Sequence, residues 1–226
     1  SQSSFDSPNE PGQTGTEQNG DDRSGTSIEE TQSRALNLNN YRIDDPSKLY
    51  PLGEISRIKS NLKAIEIAKK LNETGKAPTK TQQKQLAAYV GWGGLKNMFP
   101  SNSLDIKDTY KEHIIKLKTL LTDAELQTAR RSILSAHYTE PAIISAMWKL
   151  AERLGFKGGS VLEPAAGVGH FFGMMPPHLS KNSNLTAVEM DKISGMIASH
   201  LYPDALTQIR RFEDAAIRNN SQDLII

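Results

Sequence analysis

The chain has 226 residues, 37% of them hydrophobic and 23% charged, with no cysteine and a formal net charge of +1. That length holds one domain with a sizeable core plus extensions, and the lack of cysteine excludes disulfide scaffolds, thiolate zinc sites and cysteine nucleophiles while fitting a reducing compartment such as the cytoplasm. No apolar run approaches the roughly 18 residues that a membrane span requires, and the N-terminus is polar rather than basic and then apolar, so no membrane partner and no secretion signal are expected.

The near-neutral total is uneven. Residues 1–40 hold seven acids against two arginines, and residues 41–226 hold 25 bases against 19 acids. The body is therefore mildly basic, which suits a polyanionic partner and equally an ordinary solvated surface. From Ser1 to about Asn40 the residues are mostly Ser, Gln, Asn, Gly, Asp and Glu, with Phe5 the only aromatic and no repeating apolar period. Such a stretch buries too little surface to offset its chain entropy and is expected to be a disordered acidic linker, cut from something longer.

Order is expected from Tyr41. Ile55, Ile58, Leu62, Ile65 and Leu71 recur at three-to-four spacing and predict an amphipathic helix ending near Thr74-Gly75. A second helix is expected from Thr79 to about Val90. Gly91-Trp92-Gly93-Gly94 then forbids regular structure. A third helix is predicted over Asp105–Leu120, and Thr122 with Glu125 reads as a capping box opening a fourth to about Leu134. Residues 41–135 are thus expected to form a small helical domain, with Trp92 as a core anchor rather than a base-stacking platform.

After Ala136 the texture changes. Thr139-Glu140-Pro141 is expected to open a helix to Leu154, with Thr139 as its N-cap. Ser160–Leu162, Leu185–Val188, Leu206–Ile209 and Leu224–Ile226 read as strands with helices between them, which predicts a parallel α/β sheet with right-handed crossovers. The expected strand order is 3-2-1-4, with a ligand at the carboxyl ends of strands 1 and 4, and the sheet is expected to be incomplete where the chain ends.

The stretch from Val161 to Phe171 carries the most chemistry. A strand turns through Glu163-Pro164-Ala165-Ala166-Gly167-Val168-Gly169 into a helix, and Gly167 and Gly169 are expected to let the backbone approach a ligand. About twenty residues on, the next strand ends in Glu189-Met190-Asp191, where an acid is placed to accept both ribose hydroxyls of an adenosine. Phe172 stands where a dinucleotide turn would want a third glycine. An adenosine with a compact amino-acid tail fits better, and points to S-adenosylmethionine. His137, His170, His178 and His200 show no spacing with carboxylates that would make a metal site. The paired arginines Arg130-Arg131 and Arg210-Arg211 are expected on the solvated surface, with phosphate contact the alternative.

Several of these motifs, in this order, resemble the adenine-amino DNA methyltransferases, specifically the very large methylase–helicase proteins of plasmids, phages and integrative elements. The resemblance covers about residues 40–226. It rests on Asn40-Tyr41-Arg42-Ile43, Tyr89-Val90-Gly91-Trp92-Gly93-Gly94, Ala129-Arg130-Arg131-Ser132, Ala136-His137-Tyr138-Thr139, the Glu163–Phe171 turn and Glu189-Met190-Asp191. It implies a Rossmann-like class I methyltransferase core over 136–226, with S-adenosylmethionine as cofactor and DNA, its target base flipped, as partner. The remaining helicase and methyltransferase parts of the same polypeptide would be further partners. By the same resemblance Thr139 holds the methionine carboxylate, and Glu163, Ala165, Gly167 and Gly169 cradle the methionine part. Glu189 takes the ribose, with Met190 against the adenine ring.

At the third strand the family has an aspartate before a phenylalanine to accept from the adenine amino group. Here Arg211 precedes Phe212, leaving Glu213 or Asp214 as the candidate acid beside Phe212. The catalytic Asn-Pro-Pro-aromatic sequence occurs nowhere in the 226 residues and is expected beyond Ile226. The alternative, from another class, is a non-catalytic DNA- or protein-docking module on a methyltransferase-like scaffold of a helicase.

Overall fold

In the computed structural model, residues 39–102 and 106–226 are described. The acidic linker expected over 1–40 lies outside them except for its last two residues, which are held in place. The Asn39 N–H donates to Asp204 Oδ2 at 2.9 Å, and Asn40 Oδ1 accepts from the Asp204 N–H at 2.9 Å. The next residues follow the same line, Tyr41 N–H donating to Leu201 O and Ile43 N–H to Gly173 O. The first described residues therefore dock on the α/β part of the chain.

Four helices form the helical layer: α1 (Glu54–Thr74), α2 (Lys80–Ala87), α3 (Asp108–Leu120) and α4 (Asp123–Arg131). The α1 stripe Ile58, Leu62, Ile65 and Leu71 is buried, and Gly75 in the left-handed region ends the helix, its N–H bonded to Leu71 O. Thr79 with Gln82 and Thr122 with Glu125 form capping boxes at α2 and α4. The third helix begins at Asp108, three residues later than its periodicity predicts. α4 passes at Ser132 into a short 3-10 turn.

The second part holds α5 (Pro141–Arg153), β1 (Gly159–Glu163), α6 (His170–Gly173), α7 (Pro177–Ser180), β2 (Ser183–Glu189), α8 (Lys192–Leu201), β3 (Leu206–Ile209) and β4 (Leu224–Ile225). All strands are parallel and ordered β3-β2-β1-β4, as the sequence predicts for a Rossmann-like sheet. Glu163 stands opposite Ala187, and Glu189 opposite Ile209, so the two acids end adjacent strands. One expectation fails: Glu140 and not Thr139 occupies the N-cap of α5, and its side chain makes no cap bond. Pro141 at the first helical position has no N–H to be capped, which removes part of the need.

α1 and α2 pack on α8, so the helical layer and the sheet share one apolar core running from Ile58 and Leu62 through Trp92 and Ile197 to Val161. Glu125, which caps α4, also accepts from Lys69 Nζ of α1 at 2.6 Å. Among the described residues no helix is long and apolar enough to cross a membrane.

Candidate functional site

The two strand-end acids meet in a cavity of about 410 Å³ at the carboxyl ends of β1 and β2. Its floor is the β1 turn, with Glu163, Ala165, Ala166 and Gly167, and one side is Glu189, Met190, Asp191 and Ser194. No residue of β4 lines it. The cavity lies at the ends of strands 1 and 2 rather than 1 and 4, with its far wall supplied by the helical layer.

Glu189 is held rigidly. Its Oε2 accepts the Gly167 N–H at 2.7 Å and its Oε1 accepts the Asp191 N–H at 2.7 Å. Each oxygen keeps a further lone pair for a ligand hydroxyl. Burial raises its pKa against the lowering effect of those amides. Asp191 in turn caps α8, its Oδ2 accepting the Ser194 N–H at 2.8 Å.

Glu163 is only 6% exposed, and its Oε2 has no hydrogen-bond partner. Burial, and then the neighbouring charge of Glu189, push its carboxyl well above the ordinary range. A buried acid at the end of a strand with an unmet polar atom is costly to the fold, and such sites cluster where ligands bind.

The two glycines of the turn do different work. Gly167 has φ +55, and a Cβ there would meet the Tyr138 ring at 3.2 Å. Gly169, at φ +80, does not line the cavity; a Cβ there would run into the Tyr202 ring at 2.5 Å. It packs closely against the core.

The opposite wall comes from the helical layer and the strap that follows it. Gly91, Trp92, Thr128, Ala129, Arg131 and Ser132 line it, as do His137, Tyr138 and Thr139. Glycine at 93 is required by backbone against backbone: a Cβ would lie 1.9 Å from the Ala136 carbonyl oxygen. The Gly91–Gly94 box is thus the seat of the Ala136–Thr139 strap. Trp92 is 2% exposed and edge-on to Phe99 at 5.4 Å, a core residue with one side on the cavity wall.

His170 sits behind the strap. Its Nε2 is 2.7 Å from the Ala87 carbonyl and its Nδ1 is 3.2 Å from the Tyr50 hydroxyl, which also lies 2.6 Å from the Thr139 carbonyl. Burial holds its pKa down at about 4, so the neutral ring donates from Nε2 to Ala87. It ties α2 and the strap to α6.

Of the residues expected at the cofactor, Thr139, Glu163, Ala165, Gly167, Glu189 and Met190 share this cavity, and Gly169, Phe212 and Glu213 do not line it. The Glu213 carboxylate is taken by Arg211 at 2.8 Å on the surface. Tyr138, Ser194 and Arg131 are among the lining residues that sequence reasoning did not place there. The paired arginines divide. Arg130 donates to the Pro100 carbonyl at 2.8 Å, whereas Arg131 lines the cavity with no ion-pair or hydrogen-bond partner among the described residues.

No family model matches the chain. A solved structure described as a putative class I S-adenosylmethionine-dependent methyltransferase from Listeria monocytogenes aligns at 15% identity and a TM-score of 0.36, covering 74% of this chain and 58% of that one. Over 172 residues, or 75% of its length, the chain is 27% identical to Defense against restriction protein B of Escherichia phage P1, and it spans about 6% of the length of that relative.

Proposed function

We propose that this chain is the cofactor-binding part of an S-adenosylmethionine-dependent methyltransferase, and that the whole protein methylates the exocyclic amino group of adenine in DNA. The observation that carries the reading is the meeting, in one cavity, of Glu189 with a spare lone pair on each fixed oxygen and Glu163 with an unmet Oε2. These groups fit an adenosine bearing an amino-acid tail. Glu189 would receive the ribose hydroxyls, Met190 the adenine face, and Glu163 with the Ala165–Gly167 backbone the methionine part. Thr139 and Arg131 are on hand for the tail carboxylate. When bound, the cofactor supplies an electrophilic methyl group.

What the chain's own residues contribute is placement. The Gly167 and Asp191 amides fix the Glu189 carboxylate before a ligand arrives, so little is lost in ordering it. Gly91–Gly94 seats the Ala136–Thr139 strap against the cavity, and the Tyr138 ring packs against Gly167 of the turn. No Asn-Pro-Pro-aromatic sequence is present to hold the target amino group, so methyl transfer is assigned to the whole protein and cofactor binding to this chain. DNA as substrate draws support from the resemblance of the motifs and from a phage relative named for defence against restriction. Calorimetric titration with S-adenosylhomocysteine should show saturable binding that Glu189→Ala weakens by about 1–3 kcal/mol, the loss expected for hydrogen bonds to a charged group. Binding that ignores Glu189 would remove the ribose assignment.

A further inference from the structure

A second concavity, distinct from the cofactor cavity, is a groove of about 470 Å³ between α1 and α2. Ser56, Lys59 and Lys63 stand on its α1 wall, and Thr81, Lys84 and Gln85 on its α2 wall. These are steps of three and four along each helix, so each set shares one face. No acid lines the groove, and beside Pro51 and Ala88 its carbon surface is that of side-chain stems ending in polar groups. Three ammonium groups among hydroxyls and an amide match a chain of phosphates.

Lys59 and Lys84 have no ion-pair partner among the described residues. Lys63 is held by Glu66 of its own helix at 3.2 Å, and Glu66 is shared with Lys116 at 3.6 Å. Such an exposed pair contributes little and yields readily to a phosphate. Lys59 and Lys63 are about 6 Å apart along the helix axis, close to two steps of about 3.4 Å in the charge spacing of one strand along the duplex axis.

The groove is also joined to the cavity wall by fixed bonds. The Ser60 hydroxyl donates to the Ala88 carbonyl at 3.0 Å. The Asn61 side chain, fully buried, accepts the Val90 N–H at 2.9 Å and donates to the Gly91 carbonyl. The helix that bears the lysines is therefore bolted to the glycine box that seats the strap.

We propose that the α1–α2 groove grips the phosphate backbone of duplex DNA, an assignment that rests on the reading of the whole protein as a DNA-modifying enzyme. The affinity of the chain for a duplex of about 20 base pairs, followed by fluorescence anisotropy over a range of salt, tests it against the combined variant Lys59→Gln, Lys63→Gln, Lys84→Gln. Each phosphate that the variant no longer neutralises should reduce the slope of log K against log salt by about 0.9, so the variant should be less steep by about 2 to 3 and bind at least about tenfold more weakly at about 50 mM salt. Its unfolding midpoint and its affinity for S-adenosylhomocysteine should match the wild type. A control carrying Lys111→Gln and Lys118→Gln on α3 should bind DNA as the wild type does. An unchanged slope overturns the proposal, as does an equal weakening in the α3 control or binding confined to single strands. A wild-type chain that takes S-adenosylhomocysteine but no duplex overturns the groove alone and leaves the cofactor reading standing.

Discussion

Glu163→Gln should make the protein more stable, and the gain should grow with pH. Glu163 ends the central strand β1, is 6% exposed and leaves Oε2 without a partner, and burial together with Glu189 raises its pKa well above the ordinary value. The unfolded chain loses this proton near pH 4.5 while the folded chain keeps it. Above that pH the folded state therefore binds more protons, and stability falls as pH rises, by up to about 1.4 kcal/mol per pH unit until the folded group also ionises. Glutamine has the shape of the protonated acid and nothing to ionise. The variant should match the wild type near pH 4.5 and pull ahead of it from there through neutrality, most steeply where the wild-type group is neutral folded and charged unfolded. Urea unfolding at several pH values, followed by the fluorescence of the buried Trp92 and Trp148, measures the difference. The contribution of Glu189 is common to both proteins to first order and drops out. A variant no more stable than wild type at about pH 8, or a difference that does not change with pH, would refute the protonated, uncompensated Glu163.

Trp92→Ala should cost about 3–5 kcal/mol, the loss for a fully packed indole, and lower the melting temperature sharply; a variant that melts like the wild type would mean that the indole is a surface platform. Gly93→Ala places a Cβ 1.9 Å from the Ala136 carbonyl, so the strap must move, and both the urea midpoint and S-adenosylhomocysteine affinity should fall by more than in Gly53→Ala, where the backbone has φ +80 but nothing lies within 4 Å. Equal effects of the two glycine changes would deny that the box seats the strap.

The sheet was legible because its signals are local. Each strand is a short apolar run, but a full-length helix separates only β2 from β3; β1 and β2 are joined through the four-residue α6 and α7, and only a 3-10 turn at Phe212–Asp214 stands between β3 and β4, where a helix was expected. The Thr122–Glu125 capping box and the Gly75 stop were equally readable from a few adjacent residues, whereas the Thr79–Gln82 box came only with the structure. The cavity floor was legible too, since Glu163, Gly167 and Glu189 sit at strand ends whose spacing implies adjacency. The opposite wall was not. Gly93 meets Ala136 and His170 meets Ala87 across gaps that no periodicity reports. Gly169 shows the limit of reading a glycine as ligand access, because the same missing Cβ serves the Tyr202 ring. Glu213 shows the corresponding limit for an acid, since Arg211 two residues away had the nearer claim on it.

The central claim is that one cavity, walled by both the sheet and the helical layer, holds the cofactor. Amide hydrogen exchange with and without saturating S-adenosylhomocysteine tests it most directly. Protection is predicted at once in Gly91–Gly94, in Ala136–Thr139 and in the segments around Gly167 and Asp191, with the α1–α2 groove unchanged. Protection confined to the β1 turn, or none in the glycine box, would contradict the shared wall and return the helical layer to a separate role.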